Sequence, residues 1–327
     1  MAAAKLDEFE RIARFFAPLA APEALELLDD VALIEGPPGQ QYVLKTDAIV
    51  EGIHFFPNDP ADQVAQKLLR VNLSDLAAKG AVPVGYLLTT SLPREREEEW
   101  LERFAAGLAR DQAEFGIGLL GGDSVATVGP VTLSVAAIGR VGTGRAVLRS
   151  GAKPGDDIFV SGSLGDGALG LRVLQGDLAE LSEADRAYLV DRYRLPRPRL
   201  TLGQRLAGIA TAMMDISDGL VADLGHICTA SRVGAVVQAA QLPLSDAAAA
   251  AIRATPALFA AALGGGDDYE LLFTAPPASA SALARLAEET GVAVTRIGSI
   301  VGEPPNVRVL DAKGEPMEVR SAGYRHF

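Results

Sequence analysis

The chain has 327 residues, 49% of them hydrophobic, and carries 30 Lys+Arg against 42 Asp+Glu, a formal net charge of -12. That length allows two domains with their own cores, and the negative charge repels nucleic-acid phosphates and anionic lipid, so neither nucleic acid nor membrane is an expected partner. A single cysteine, Cys228, and three histidines exclude a disulfide framework and argue against a zinc or iron–sulfur centre, which fits a cytoplasmic protein.

The opening stretch MAAAKLDEFERIARFFAPLA carries acids and reads as an amphipathic helix, not a signal peptide. No apolar run reaches the ~20 residues of a membrane span. In chain order, apolar spacing and Gly/Pro punctuation then predict a strand near 41–47 and a helix opening at Asp59-Pro60, as N-cap and first helical residue, and running to about Ala78. A strand near 84–92, a helix from about Glu95 to Phe115 and strands near 131–139 and 156–161 follow. Helices over 166–175, 182–193, 199–209 and 218–230 come next, then strands near 234–239 and 270–274, a helix over 279–290 and a strand near 293–300. The stretch 139–157, rich in Gly and basic residues, places a domain junction between residues 1–140 and 150–327, each half mixing strands and helices in an α/β (α+β) protein.

Two glycine-rich segments invite a nucleotide-loop reading. GIGLLG (116–121) has the spacing of the dinucleotide fingerprint, but a helix precedes it and a strand-like segment follows, the reverse of what that fingerprint requires. It reads as a tight helix-to-strand connection. SGSLGDGALG (161–170) sets a Gly-rich turn between a strand and a helix start, a place that suits an anion or close helix–strand packing.

The stronger signal is a series of acids set among small and apolar residues: Asp29-Asp30, Asp47, Asp75, Asp123, Asp215 and Asp218, and Asp267-Asp268. Singly, each is a plausible cap or turn former. Asp47 stands at a strand end, and Asp215 and Asp218, three apart, share a face if helical. Asp223 lies within that helix and is read as structural. Carboxylates brought together repel and take up protons, whereas hard cations such as Mg2+ select oxygen ligands and bridge to phosphates. Such a set in an acidic chain poor in cysteine points to Mg2+ bridging to a nucleoside triphosphate.

The segments DDVAL, TDAIVEGIHF, KLLRVNLSDLAAKGAVP, GLLGGDS, LRSGAKPGDDIFVSG, MDISDGLVADLGHI and GGGDDYELLF occur in this order across nearly the whole chain. In that order they resemble the thiamine-monophosphate kinases, of the superfamily that includes aminoimidazole ribonucleotide synthetase. The resemblance implies a two-domain fold: an N-terminal mixed sheet with helices on one side that pairs across a homodimer, and a C-terminal α/β domain. It further implies direct in-line transfer from ATP to thiamine monophosphate, with several Mg2+ ions and no proton shuttle. It assigns Asp30, Thr46, Asp47, Asp75, Asp123, Asp215 and Asp218 to metal, and Gly122, Asp123, Arg149 and Ser217 to ATP. Phe115 lies against adenine or serves as a core aromatic, and Arg149 is a phosphate ligand or a linker charge. His54 contacts substrate or is a buried, hydrogen-bonded imidazole; Asp267 and Tyr324 are further substrate contacts, with Phe327 a second aromatic candidate. Leu28, Lys45 and Asp267 depart from the family's usual Gly, Ser/Thr and Glu. Another ATP-dependent synthetase of the superfamily, a metal-dependent phosphohydrolase and a nucleotide-binding regulator are the competing readings.

Overall fold

The computed structural model describes residues 10, 12–302, 304–318 and 323. Half of the expected N-terminal helix, residues 1–9 and 11, lies outside them, as do Tyr324 and Phe327; in the described part of that stretch, Ile12–Phe16 form a π-helical turn and Ala17–Leu19 a 3-10 turn.

Eleven strands fall in two sheets among the described residues. The first contains β1 (Ala32–Glu35), β2 (Gln40–Val50), β3 (Val82–Pro93), β4 (Gly118–Thr127) and β5 (Thr132–Gly142), in the order β1-β2-β5-β3-β4. Only the β3–β4 pair is parallel, so the sheet is mixed, as expected. Alternation sends Val43, Ile49, Leu133, Val135 and Ala137 inward, fully or nearly buried, while Thr46 and Ala48 face outward. The second sheet contains β6 (Asp157–Ser161), β7 (Ala212–Asp215), β8 (Gly234–Gln238), β9 (Leu271–Ala275), β10 (Val294–Val301) and β11 (Val307–Leu310), in the order β11-β8-β10-β6-β9-β7.

Helix α1 (Ala61–Ala78) joins the halves, and sixteen of its eighteen residues are buried. Its apolar side chains share one core with the inner face of the first sheet and with Phe159, Leu202, Leu206, Met213 and Phe273 from the second half. Helix α2 (Glu98–Phe115) packs along it and ends at Gly116 in the left-handed conformation, before β4 begins at Gly118. GIGLLG is therefore the helix-to-strand connection expected. On the far side, helix α5 (Leu200–Leu206) approaches so closely that a Cβ on Gly203 would stand 2.0 Å from the Ala77 carbonyl oxygen. Helices α3 (Asp166–Leu174), α4 (Glu183–Arg194), α6 (Leu220–Ser231), α7 (Asp246–Ala254), α8 (Phe259–Gly264) and α9 (Ala280–Thr290) complete the second half.

Two local expectations are corrected. Asp59 does not cap α1; its carboxylate accepts from the Phe56 N–H at 2.8 Å and pairs with Arg194 at 2.5 Å, and the helix begins after Pro60 with no side-chain cap. Asp215 and Asp218 do not share a helical face, because Asp215 ends β7 and Asp218 sits in the loop before α6.

The close α1–α5 crossing generates a stability prediction. Gly203→Val forces the helices apart and lowers the urea unfolding midpoint, at a cost of about 1–3 kcal/mol typical of overpacking; an unchanged midpoint contradicts the tight crossing.

Candidate functional site

Four of the predicted acids, contributed by four separate segments, come within one another's electrostatic reach. Asp47 projects inward from β2, Asp75 from the last turn of α1, Asp215 from the end of β7, and Asp30 from the turn before β1. Burial pushes Asp75 well above the usual carboxylate range, and the Asp215, Asp47 and Asp30 charges push the same way against the pull of Lys45. Burial and the neighbouring Asp30 raise Asp215 to about 6. Burial acts on Asp30 too, yet Lys79, Arg149 and Lys45 hold it well below the usual range. The four acids therefore share one electrostatic neighbourhood.

Three cations thread this group. Lys45 Nζ lies 3.0 Å from Asp75 and 3.3 Å from Asp47, and those carboxylates outweigh burial to keep it charged. Lys79, fully buried, lies 2.9 Å from Asp29 and 3.3 Å from Asp30 and donates to the Met213 carbonyl at 3.3 Å. Arg149 grips Asp30 with both Nε, at 2.9 Å, and Nη2, while its N–H donates to Asp29 at 2.9 Å. Asn72 accepts from the Asp47 N–H at 3.0 Å, and Asp47 lies within β2, three residues before its last residue Val50, not at the strand end expected. Among the described residues, no three His, Cys, Asp or Glu side chains converge on one point closely enough to hold a metal ion as they stand.

The loop between β7 and α6 is built around Asp223. Its Oδ2 accepts from the N–H groups of Ser217, Asp218 and Gly219, each at 3.1 Å, so the acid read as structural shapes the loop that carries two predicted site residues. A second loop locks onto this one: the Asp267 N–H donates to Ser217 O at 2.9 Å and the Tyr269 N–H to Ile216 O at 2.8 Å. Those bonds hold Asp267 and Tyr269 at φ 68° and 49°, a left-handed conformation that costs side-chain-bearing residues about 1–2 kcal/mol each. Burial pushes the Tyr269 phenol well above its usual range, and the charges of Asp267, Asp47, Asp215 and Asp218 push the same way. The sequence reading missed it.

Asp268 answers the question raised by SGSLGDGALG. The N–H groups of Gly165 and Gly167 at the start of α3 donate to its carboxylate at 2.7 and 3.1 Å, so the anion at this turn belongs to the chain itself. Asp267 instead faces Lys67, whose Nζ lies 3.2 Å from it, donates to the His54 carbonyl at 3.0 Å and sits 3.6 Å above the Tyr193 ring. Lys67 thus brings the predicted substrate contacts His54 and Asp267 into one neighbourhood. The His54 Nδ1 accepts from the Val50 N–H at 3.0 Å, which leaves the proton on Nε2.

Not every predicted residue joins the group. Thr46 points to the outer face, where its hydroxyl donates to Val135 O at 3.1 Å, because side chains alternate along β2. Asp123 occupies the exposed edge strand and Gly122 precedes it; through the register Asp47–Val135–Leu88–Gly122 they stand three strands from Asp47, roughly 14 Å at the usual strand spacing. Gly122 is required there, since a Cβ would lie 1.8 Å from the Leu88 carbonyl oxygen. Phe115 packs against the first half's core with the Arg70 guanidinium 5.3 Å from its ring, which accounts for it as a core aromatic.

Residues 28–141 match the model of the AIR synthase related protein N-terminal domain, and residues 153–310 that of the C-terminal domain. The thiamine-monophosphate kinase of Caulobacter vibrioides is 45% identical over 305 residues, 92% of this chain and 86% of that protein. The crystal structure of thiamine-monophosphate kinase from Stenotrophomonas maltophilia K279a superposes with a TM-score of 0.79 at 44% identity, covering 88% of this chain and 90% of that one. AaThiL complexed with AMPPCP and TMP superposes over 100% of both chains with a TM-score of 0.86 at 30% identity. With that coverage in both sequence and fold, the chain belongs to the AIR synthase related proteins and, within them, to the thiamine-monophosphate kinase family.

Proposed function

We propose that this chain transfers the γ-phosphoryl group of ATP to thiamine monophosphate, giving thiamine diphosphate and ADP. Full-length likeness to thiamine-monophosphate kinases, one of them solved with AMPPCP and TMP, carries the choice of substrates. The observation that carries the chemistry is the gathering of Asp30, Asp47, Asp75 and Asp215, buried or half-buried and interleaved with Lys45 and Lys79 at the meeting of the two halves.

The donor set fits hard divalent ions: it is made of carboxylate oxygens, and Asp75 and Asp215 are pushed above the usual carboxylate range by burial and by neighbouring carboxylates whose repulsion a bound cation would offset. Asp30, Asp47, Asp75 and Asp215 would hold Mg2+, with Asp218 on the adjoining loop. Bound there, Mg2+ neutralises phosphate charge and polarises the transferred group. Thr46 and Asp123 belong to this reading only as outer-face ligands.

The protein's own part is orientation and charge. Asp223 takes up the N–H groups of Ser217 and Asp218 and so fixes the shape of the loop that this reading gives to ATP and metal. Arg149 stands beside Asp30 with a guanidinium fork suited to phosphate oxygens. His54 and Asp267, linked through Lys67, would engage the acceptor. In the transfer, a phosphate oxygen of thiamine monophosphate forms the new P–O bond as the β–γ bridging P–O bond of ATP breaks and its electron pair leaves on ADP. That nucleophile is already anionic at pH 7, so no general base is needed.

We also propose a homodimer in the cytoplasm. Strand β4 is an open edge exposed along nearly its whole length, and it carries the exposed apolar side chains Leu119, Leu120 and Val125, with Leu87 exposed on the neighbouring β3. An edge of this kind invites pairing with a second copy. No helix among the described residues is long and apolar enough to cross a membrane.

Three outcomes test these statements. Purified protein given γ-labelled ATP, Mg2+ and thiamine monophosphate places the label in thiamine diphosphate; label found only in inorganic phosphate overturns the kinase assignment in favour of hydrolysis. Asp47→Asn and Asp215→Asn each lower kcat at least about 100-fold, within the range expected for loss of transition-state charge stabilisation, while melting near the parent temperature; undiminished turnover in both removes the site. Leu120→Glu converts the dimer to monomer in sedimentation velocity, and a parent chain that sediments as a monomer contradicts the edge-pairing reading.

A further inference from the structure

Lys45 lies on the inward face of β2, in line with Val43 and Asp47, with its ammonium nitrogen 3.0 Å from Asp75 Oδ2 and 3.3 Å from Asp47 Oδ1. Its side chain is 13% exposed. The nitrogen therefore occupies the gap between two carboxylates that the preceding reading gives to divalent ions. An ammonium bracketed at hydrogen-bond distance and a Mg2+ ion coordinated at about 2.0–2.1 Å cannot share that gap, since both need the same oxygens and repel each other. Lys79 and Arg149 meet Asp29 and Asp30 instead, so Lys45 is the cation that stands between Asp47 and Asp75.

We propose that Lys45 is a resident counter-cation that takes the place of one divalent ion between Asp47 and Asp75, so that the chain loads nucleotide with one divalent ion fewer than it would with a neutral oxygen donor at this position. The inference rests on the divalent-ion reading above and deepens it. Physically, a covalently tethered monovalent charge is always present and loses only side-chain freedom, whereas a bound ion must shed water and is lost when its concentration falls. Part of the site is thereby charged and ordered before metal and nucleotide arrive.

The test counts ions instead of turnover. Equilibrium dialysis with Mn2+ and AMPPCP, with free Mn2+ read by electron paramagnetic resonance, gives the number bound per chain. Lys45→Thr, which supplies a neutral oxygen, binds one Mn2+ more than the parent; Lys45→Arg, which keeps the cation, binds the same number as the parent. Equal counts in parent and Lys45→Thr overturn the proposal, including the case in which nucleotide affinity alone falls because the lysine reaches phosphate. A count raised equally in Lys45→Arg overturns it as well, since charge would then not be the determinant. If parent, Lys45→Thr and Lys45→Arg all bind no Mn2+, the divalent-ion reading itself is overturned and this inference with it.

A second measurement needs no variant. In the unmodified chain, Lys45 stays protected from acylation by acetic anhydride both with and without Mg2+ and AMPPCP, read by peptide mass mapping. Protection that disappears on loading shows the ammonium displaced from the gap and overturns the proposal.

Discussion

Helix α1 runs through the interior with almost no solvent-facing side, yet its sequence carries Gln66, Lys67, Arg70, Asn72, Ser74 and Asp75, and Lys79 follows at its C-cap. A buried charge is tolerable only when paired, and breaking such a pair by deleting one partner costs about 3–5 kcal/mol. The positions of these side chains therefore dictate where counter-charges must come from. Arg70 takes both oxygens of Asp111 on α2 at 2.7 and 2.9 Å, with Gln66 donating to the same carboxylate at 2.7 Å. Asp75 takes Lys45 from β2, and Lys79 takes Asp29 and Asp30 from the turn before β1. The carboxylate group at the candidate site is the C-terminal end of this pattern, so site and fold rest on the same pairings.

Those pairings also tie the halves together. Lys79 donates to the Met213 carbonyl of β7, Arg70 to the Pro196 carbonyl, and Tyr193 to the His54 carbonyl. Apolar packing between α1 and α5 is non-directional, whereas these bonds have one geometry each and fix the orientation of β7, and hence of Asp215, relative to β2 and α1. The same division of labour appears in the second half, where Arg192 and Arg199 both converge on the buried Glu270 one residue beyond Tyr269. The loop carrying Asp267 and Tyr269 is therefore anchored at its far end by charge and at its near end by backbone bonds to Ile216 and Ser217.

Much of this was legible in the sequence, in proportion to how local the determining physics is. The strands with clear alternation, near 41–47 and 131–139, appear within a few residues as β2 and β5, and the helix from about Glu95 to Phe115 appears as α2. β1, β7 and β11 are four residues each, too short to show a period, and β4 consists of glycines and exposed residues, so its strand character comes from pairing with β3. The acids Asp30, Asp47, Asp75 and Asp215 stood out because carboxylates among apolar residues are costly without a partner. Asp223 did not, because its three partners are backbone N–H groups, which leave no mark in residue identity. Tyr269 escaped notice for a related reason: besides its neighbour Asp267, the charges that act on it, Asp47, Asp215 and Asp218, come from distant segments and make no local pattern. Its strained φ, three residues beyond the glycine run Gly264-Gly265-Gly266, has no signature in composition alone.

The chain uses its acids in two opposed ways. Asp223 and Asp268 occupy positions where backbone N–H groups would otherwise bind an external anion, the first across Ser217–Gly219 and the second at the start of α3. Each closes a potential phosphate cradle with a tethered carboxylate and thereby makes a rigid loop. Asp47, Asp75 and Asp215 do the reverse: they lack a set of N–H donors like that of Asp223, and their repulsion is moderated by cations. An internal carboxylate on N–H groups stiffens the frame, while carboxylates facing cations retain affinity for more positive charge. A chain of net charge -12 that is to approach a triphosphate benefits from this separation. Its anion-binding backbone is spent on shape, and attraction for the ligand must come from positive groups assembled on the remaining acids.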